Sequence, residues 1–524
     1  MSPSNTSLFA GLGCLLVASI IYFRKLKANG GSKHLPPGPK PVPVLGNIRD
    51  LQAKELWLPA MKWAKEHGDL VYLHILGQGL VFVNSPEAAS DLLDKRGAIY
   101  ADKPQFTMVC DLCNCKNMVA FTPYGEQSKR QRRLMHKAFG LPRIPDYYPL
   151  MKNATTTFLS HIISSPSDYL AHVRRYGGSL TLDVVYGYEV TSNDDSFLAM
   201  AEEAVGALAN DIASTGGVWM VDLIPSLKHI PRWAEGLPGM SFKRKARVWK
   251  KMMEDFVDRP FEYVKKSLKS GTSKHSFCST LMEDENFVQS SENFEFDLKW
   301  TANSMYSASI DTTITTVSHF LLAMMDHPEV LKKAQQEIDA VVGQDRLPTF
   351  EDRASLPYDL PHRLMEDDVY KGMHIPKGSL IFGNICHPGG FSSHIIYITL
   401  KLTRSLRAMC RDESLYPDAD TFNPERFLEK VDDETKRRRD PRNFVFGFGR
   451  RQCPGNNLVD SSLWLLVSSM LATLNISKPV DDAGNVVEPE VVFENPVFRT
   501  PKPFGCDMRP RSEKALQLIR QFNL

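Results

Sequence analysis

The chain is short of three things: charge of one sign, cysteines in a repeating pattern, and hydrophobic runs of full membrane-spanning length. Lys+Arg 63 against Asp+Glu 61 leaves a net charge of +2, so nothing suggests nucleic acid as a partner. The nine cysteines in 524 residues are scattered, too sparse for a disulfide framework and suited to a reducing compartment. Their one local cluster, Cys110, Cys113 and Cys115, supplies half of a zinc site at most. No second CxxC or histidine pair follows at a suitable spacing, so the segment reads as an ordinary loop. What remains, 43% hydrophobic and 24% charged residues, is ordinary for a globular protein with a substantial core. Length permits several domains or one large enzyme unit.

Residues 8–23 form an uncharged, mostly apolar run, short for a bilayer span but adequate for the thinner endoplasmic reticulum membrane. Arg24, Lys25 and Lys27 follow at once, which places the rest of the chain in the cytosol. A cleaved signal peptide would carry its basic residues before the run, so an uncleaved anchor is expected over residues 1–34. Residues 35–43 hold five prolines and read as a stiff, extended hinge. Residues 44–524 read as the globular domain. Residues 70–76 and 79–84 predict a hairpin. Ser85-Pro86-Glu87 predicts the start of a helix ending near Lys95. Long helical patterns dominate thereafter, giving a mainly α fold with a small β region.

Three later stretches are distinctive. Residues 217–242 are apolar and proline-punctuated, followed by a basic helix with Lys243, Arg244, Lys245, Arg247, Lys250 and Lys251. That pairing suits a membrane surface, or equally a solvated face beside a core loop. Residues 296–327 predict one long helix ended by Pro328. Within its apolar middle, Asp311 and Thr312 are costly unless satisfied or used, and Thr can bond back to its own helix. Residues 446–455 read Phe-Gly-Phe-Gly-Arg-Arg-Gln-Cys-Pro-Gly and precede an apolar helix. This describes a thiol at a helix N-terminus, where unpaired N–H groups and the helix dipole lower its pKa. The glycines leave room for something flat and large, and Arg451 suits a carboxylate on it.

This last stretch resembles, at every fixed position, the haem-binding signature of the cytochrome P-450 family: Phe446, Gly449, Arg451, Cys453 and Gly455. The resemblance covers nearly the whole chain after residue 8 and is greatest to fungal microsomal members. It implies the family fold and a monooxygenase that uses heme b (iron-protoporphyrin IX), with Cys453 as the axial metal ligand. It also implies Arg451, Arg132 and His362 as contacts to the haem propionates, and Asp311 with Thr312 as a proton relay. Electrons would come from NADPH through a flavoprotein reductase, docked on the face that bears Lys436, Arg437, Arg438 and Arg439. Membrane lipid and a lipophilic small-molecule substrate complete the expected partners, with an endoplasmic reticulum location. Ser128 stands where the family has a tryptophan, and Ser309 where it has a glycine.

Two departures interrupt the match. After Tyr358 the expected Glu-x-x-Arg helix is missing, and Glu434 to Arg437 lies in the wrong order to replace it. Arg426, in Pro424-Glu425-Arg426-Phe427, thereby lacks its usual partners. Residues 386–407 form an insertion without a family counterpart. One explanation covers both: the translated frame omits an exon segment near Tyr358 and retains a short intron at Cys386, the alternative being a divergent protein. Two rival functions follow, a haem-thiolate isomerase or dehydratase and a haem-deficient, inactive product.

Overall fold

The computed structural model describes residues 35–43, 45–50, 57–75, 78–213, 219–236, 239–289, 292–355, 431–432, 435, 446–494 and 500–521, with strand segments 362–363, 368–370, 373–375 and 380–381. The anchor at residues 8–23, the site of the missing Glu-x-x-Arg helix, residues 386–407, Arg426 and the basic run 436–439 lie outside the described residues. No described helix is long and apolar enough to cross a membrane.

Strands β1 (Leu70–Ile75) and β2 (Gln78–Val83) pair antiparallel, from Leu70 opposite Val83 to Ile75 opposite Gln78. The period of two turns Val71, Leu73 and Ile75 inward. Helix α1 (Trp57–His67) covers that face, with Trp63 edge-on to Phe82 at 5.6 Å. The proline-rich segment is docked here instead of standing free. A carbonyl can complete a strand edge even in proline, and the Pro37 carbonyl accepts the Tyr72 N–H at 2.9 Å. Ser85 caps the next turn by accepting the Ala88 N–H, and Pro86–Ala89 runs straight into a π-helical turn, Ser90–Lys95.

Most of the rest is helical: α2 (Glu126–Phe139), α3 (Tyr148–Ser164), α4 (Tyr169–Tyr186), α5 (Ser196–Ala207), α6 (Phe242–Lys269), α7 (Phe294–Asp326), α8 (Pro328–Val341), α9 (Asn456–Thr473) and α10 (Glu513–Arg520). Helix α7 is the expected long helix, and most of its residues are buried, as in a helix through the centre of a large core. Small residues let its neighbours close in. A Cβ on Gly177 of α4 would stand 3.0 Å from the Thr313 Cβ. On α6 the basic residues are matched by acids, Arg247 with Glu235, Lys250 with Glu254 and Lys251 with Asp255.

At the C-terminal end, Phe493–Glu494 pairs with Thr500–Pro501. Strand β3 (Leu474–Ser477) then pairs antiparallel with β4 (Asp507–Pro510). Helix α10 starts at Ser512, whose hydroxyl accepts the Ala515 N–H.

Candidate active site

Cys453 closes a tight turn. Its own N–H donates to the Phe446 carbonyl at 2.7 Å, and the Gln452 N–H donates to Gly449 at 3.1 Å. Gly447 and Gly449 both have positive φ, 77° and 52°, which explains glycine at each. At Gly455 a Cβ would meet only the Cys453 Sγ, at 4.0 Å, so the space over the sulfur is open. Helix α9 begins one residue later. The thiol is held by N–H groups of Gly455 and Asn456 and faces the charge of Arg132, all of which favour thiolate. Burial outweighs them and leaves the Cys453 pKa raised. The N–H groups at the helix terminus thus lower the pKa, as the sequence predicts, but burial is the larger effect.

Arg451 does more than its spacing suggests. Its Nε donates to the Ala101 carbonyl at 2.7 Å and its Nη2 to the Thr122 carbonyl at 2.9 Å. Both ends of the loop between those residues are thus stapled to the cysteine turn. Its Nη1 is buried without a partner. Arg132 on α2 reaches the same turn, its Nη2 donating to the Gln452 carbonyl at 2.7 Å. Ser128 does not reach the site: its hydroxyl donates to the Gly125 carbonyl and accepts the Gly125 N–H, closing the first turn of α2. That helix is tied down by Arg130, whose Nε donates at 2.5 Å to Asp297, a buried carboxylate on α7.

Lys103 is the residue that sequence reading missed. It is buried, and among the described residues its ammonium has no hydrogen-bond or ion-pair acceptor. Burial, with Arg451 and Arg132 nearby, pushes its pKa from 10.5 down to about 7. Nothing in Ala101-Asp102-Lys103-Pro104 marks this lysine; only the folded chain brings it to residues some 350 positions away. Three cations around one turn, one with a free buried N–H group, call for an anion. A half-buried cysteine, open space at Gly455 and this cation cluster fit a flat macrocycle with two carboxylates. Between about pH 7 and the ordinary lysine value, the unfolded chain keeps a proton that folded, haem-free chain has shed. Stability of that form therefore rises with pH across this window. Lys103→Met is expected to raise the melting temperature of the haem-free chain at about pH 7, less so at about pH 10, while speeding loss of bound haem. Calorimetry at the two pH values and a haem-transfer assay check both signs.

On α7, Ser307, Ala308, Ser309, Asp311 and Thr312 are only partly buried amid a buried helix, as a stretch lining an internal space would be. The Thr312 hydroxyl donates back to the Ala308 carbonyl at 3.0 Å. Burial, reinforced by Glu202 and opposed by Arg174, pushes Asp311 up to about 6. The charged groups that tune it therefore belong to α5 and α4, and it stands apart from the cation cluster. His362 lies in a two-residue strand paired with Ile381; its side chain is outside the described residues. Cys110, Cys113 and Cys115 are buried thiols, all raised by desolvation, and no metal-binding cluster occurs among the described residues.

The sequence matches the family model for cytochrome P450 over residues 36–389 and 400–502. Among curated relatives, the cytochrome P450 monooxygenase claT of Ampulloclitocybe clavipes is 36% identical, the alignment covering 97% of this chain and 96% of that protein. Cytochrome P450 monooxygenase 176 of Postia placenta is also 36% identical, over 93% and 92% of the two chains. The monooxygenase ple1 of Rhodocybe pseudopiperita is 35% identical over 99% and 98%. All three relatives are fungal. With this coverage at both ends, the chain is an oxidoreductase and belongs to the cytochrome P450 family.

Proposed function

We propose that this chain is a membrane-anchored haem-thiolate monooxygenase acting on a lipophilic small molecule, with electrons from NADPH delivered by a flavoprotein reductase. The observation that carries the reading is the Cys453 turn ringed by Arg451, Arg132 and buried Lys103, with Arg451 Nη1 unpaired. Cys453 would ligate the iron through Sγ. Arg451, Arg132 and Lys103 would hold the propionates, joined by His362 from its strand. Phe446 fixes the turn through its carbonyl, and Gly455 keeps the sulfur uncovered. When bound, haem supplies the redox chemistry by which one atom of dioxygen enters the substrate and the other leaves as water.

Asp311 and Thr312 would manage the protons that this reaction consumes. A carboxyl with a pKa of about 6 carries a proton at the acid side of neutrality and can be recharged from solvent. Turnover is expected to fall as pH rises through about 6, and Asp311→Asn to remove that bend and cost about 10²-fold in rate. Product formed per NADPH consumed, followed across pH, checks this. A bend unchanged in Asp311→Asn would assign it to another group.

Residues 8–23 would anchor the chain in the endoplasmic reticulum membrane. Exposed Met220, Ile224 and Trp233, the last 81% exposed, support a second lipid contact beside α6. The direct test is a reduced carbon-monoxide difference spectrum on membranes that express the chain. A red-shifted Soret band supports thiolate-bound haem, whereas no band from well-expressed protein overturns the reading.

A further inference from the structure

The outer side of the cysteine turn is held by a residue that no signature motif contains. The Asp94 carboxylate, on the π-helical turn Ser90–Lys95, accepts the Gly449 N–H at 2.5 Å. Two chain segments 355 positions apart are in close contact there. A Cβ on Gly449 would lie 2.1 Å from the Leu93 carbonyl oxygen, and one on Gly97 would lie 3.8 Å from the Arg450 nitrogen. Glycine at 449 is therefore demanded by this docking as well as by its positive φ of 52°. The Gly449 peptide is gripped on both sides. Its N–H goes to Asp94, and its carbonyl accepts the Gln452 N–H at 3.1 Å. Gln452 in turn is bonded by Arg132 and precedes Cys453. On the neighbouring residue, Arg450 donates to the Tyr124 hydroxyl and lies over that ring.

We propose that Asp94 is a positioning residue for the iron ligand: by holding the Gly449 N–H it fixes the turn from which Cys453 presents its sulfur. The proposal rests on the haem-thiolate reading. Glycine adopts left-handed and right-handed backbone about equally readily, so contacts, not the residue itself, hold Gly449 at this φ. Without the carboxylate, the Gly449 peptide keeps one bond instead of two, and the turn can relax. Relaxation would move Cys453 relative to the Gly455 and Asn456 N–H groups that support its sulfur. The expected consequence is easier loss of thiolate ligation, not loss of the fold, because the Asp94 side chain is exposed.

The test uses the full-length chain with haem bound, reduced and carbonylated. The red-shifted Soret band is followed as it decays to the band of a form no longer bound by thiolate. Asp94→Ala is expected to decay about tenfold faster than the parent, a factor within reach of one lost charge-assisted hydrogen bond. Asp94→Asn keeps an acceptor oxygen and should decay close to the parent rate. Asp91→Ala, on the same turn but bonded to Lys95, should match the parent. Thermal unfolding of each variant is measured alongside. Parent-like decay in Asp94→Ala, or faster decay matched by a proportional loss of global stability, overturns the positioning role. Equal acceleration in Asp94→Asn overturns the hydrogen-bond basis. A parent without any red-shifted band removes the haem-thiolate reading itself, a separate and recognisable failure.

Discussion

Cys453→Ser is expected to abolish both the red-shifted carbon-monoxide band and oxygenation, while leaving the fold intact. The backbone bond from residue 453 to the Phe446 carbonyl does not involve the side chain. A serine oxygen can accept the same N–H groups from Gly455 and Asn456 that now meet the sulfur. The loop is therefore expected to stay in place, with unfolding free energy within about 1 kcal/mol of the parent. What changes is the ligand. Burial keeps the Cys453 thiol raised, so its thiolate is stable only when a metal replaces the proton. Serine has a far higher pKa and no comparable donor electron density, so the push that a Cys453 thiolate would give bound haem should be lost. Haem content, band position and turnover measured on one preparation check the expectation. A band that persists in the serine variant would move the ligand to another thiol. Among the described cysteines, only Cys506 shares Cys453's partial exposure, the others being buried.

Local signals in the sequence were read reliably where the chemistry is local. The Ser85 cap, the strand alternation at Val71, Leu73 and Ile75, and the long helix ending before Pro328 depend on neighbours within a few residues. The cysteine turn was legible for the same reason, since its glycines answer to backbone geometry inside it. What the sequence hid depends on distant contacts. Lys103, Asp94 and the carbonyls of Ala101 and Thr122 matter only because the Cys453 turn docks against them. At Cys453 the lowering by the helix terminus is local and legible, but the burial that outweighs it is not. The basic stretch after residue 242 could be read as membrane-facing or solvated; Glu235, Glu254 and Asp255 pair with three of its six basic residues. Helix α10 was within reach, since Ser512 followed by Glu513 is an ordinary helix start.

Removing the carboxylate of Asp460 is expected to cost about 3–5 kcal/mol of stability, the largest stability effect foreseen for one side chain here. Arg353, from the turn Asp352–Ser355, donates from Nη2 to Asp460 Oδ2 at 2.7 Å, with side chains only 10% and 4% exposed. Its guanidinium also lies over Trp464 at 5.5 Å. Asp460 and Trp464 are four residues apart on α9, so one face of that helix offers both a carboxylate and a ring to one arginine. Asp460→Ala removes the carboxylate that Arg353 donates to, and Arg353→Met removes the guanidinium that Asp460 accepts from. Each single change should therefore be severe. The double change Arg353→Met with Asp460→Leu removes both charges and keeps most of the volume. It should recover much of the loss, because burying the ion pair already carries a desolvation penalty. Urea unfolding of the four proteins gives the coupling energy directly. Additive losses would show that the two charges do not stabilise one another. The same helix begins with the Asn456 N–H that meets Cys453, so the single variants should also lose thiolate ligation at lower urea than the parent. Ligation that outlasts the unfolding of α9 would separate the cysteine turn from the helix it precedes.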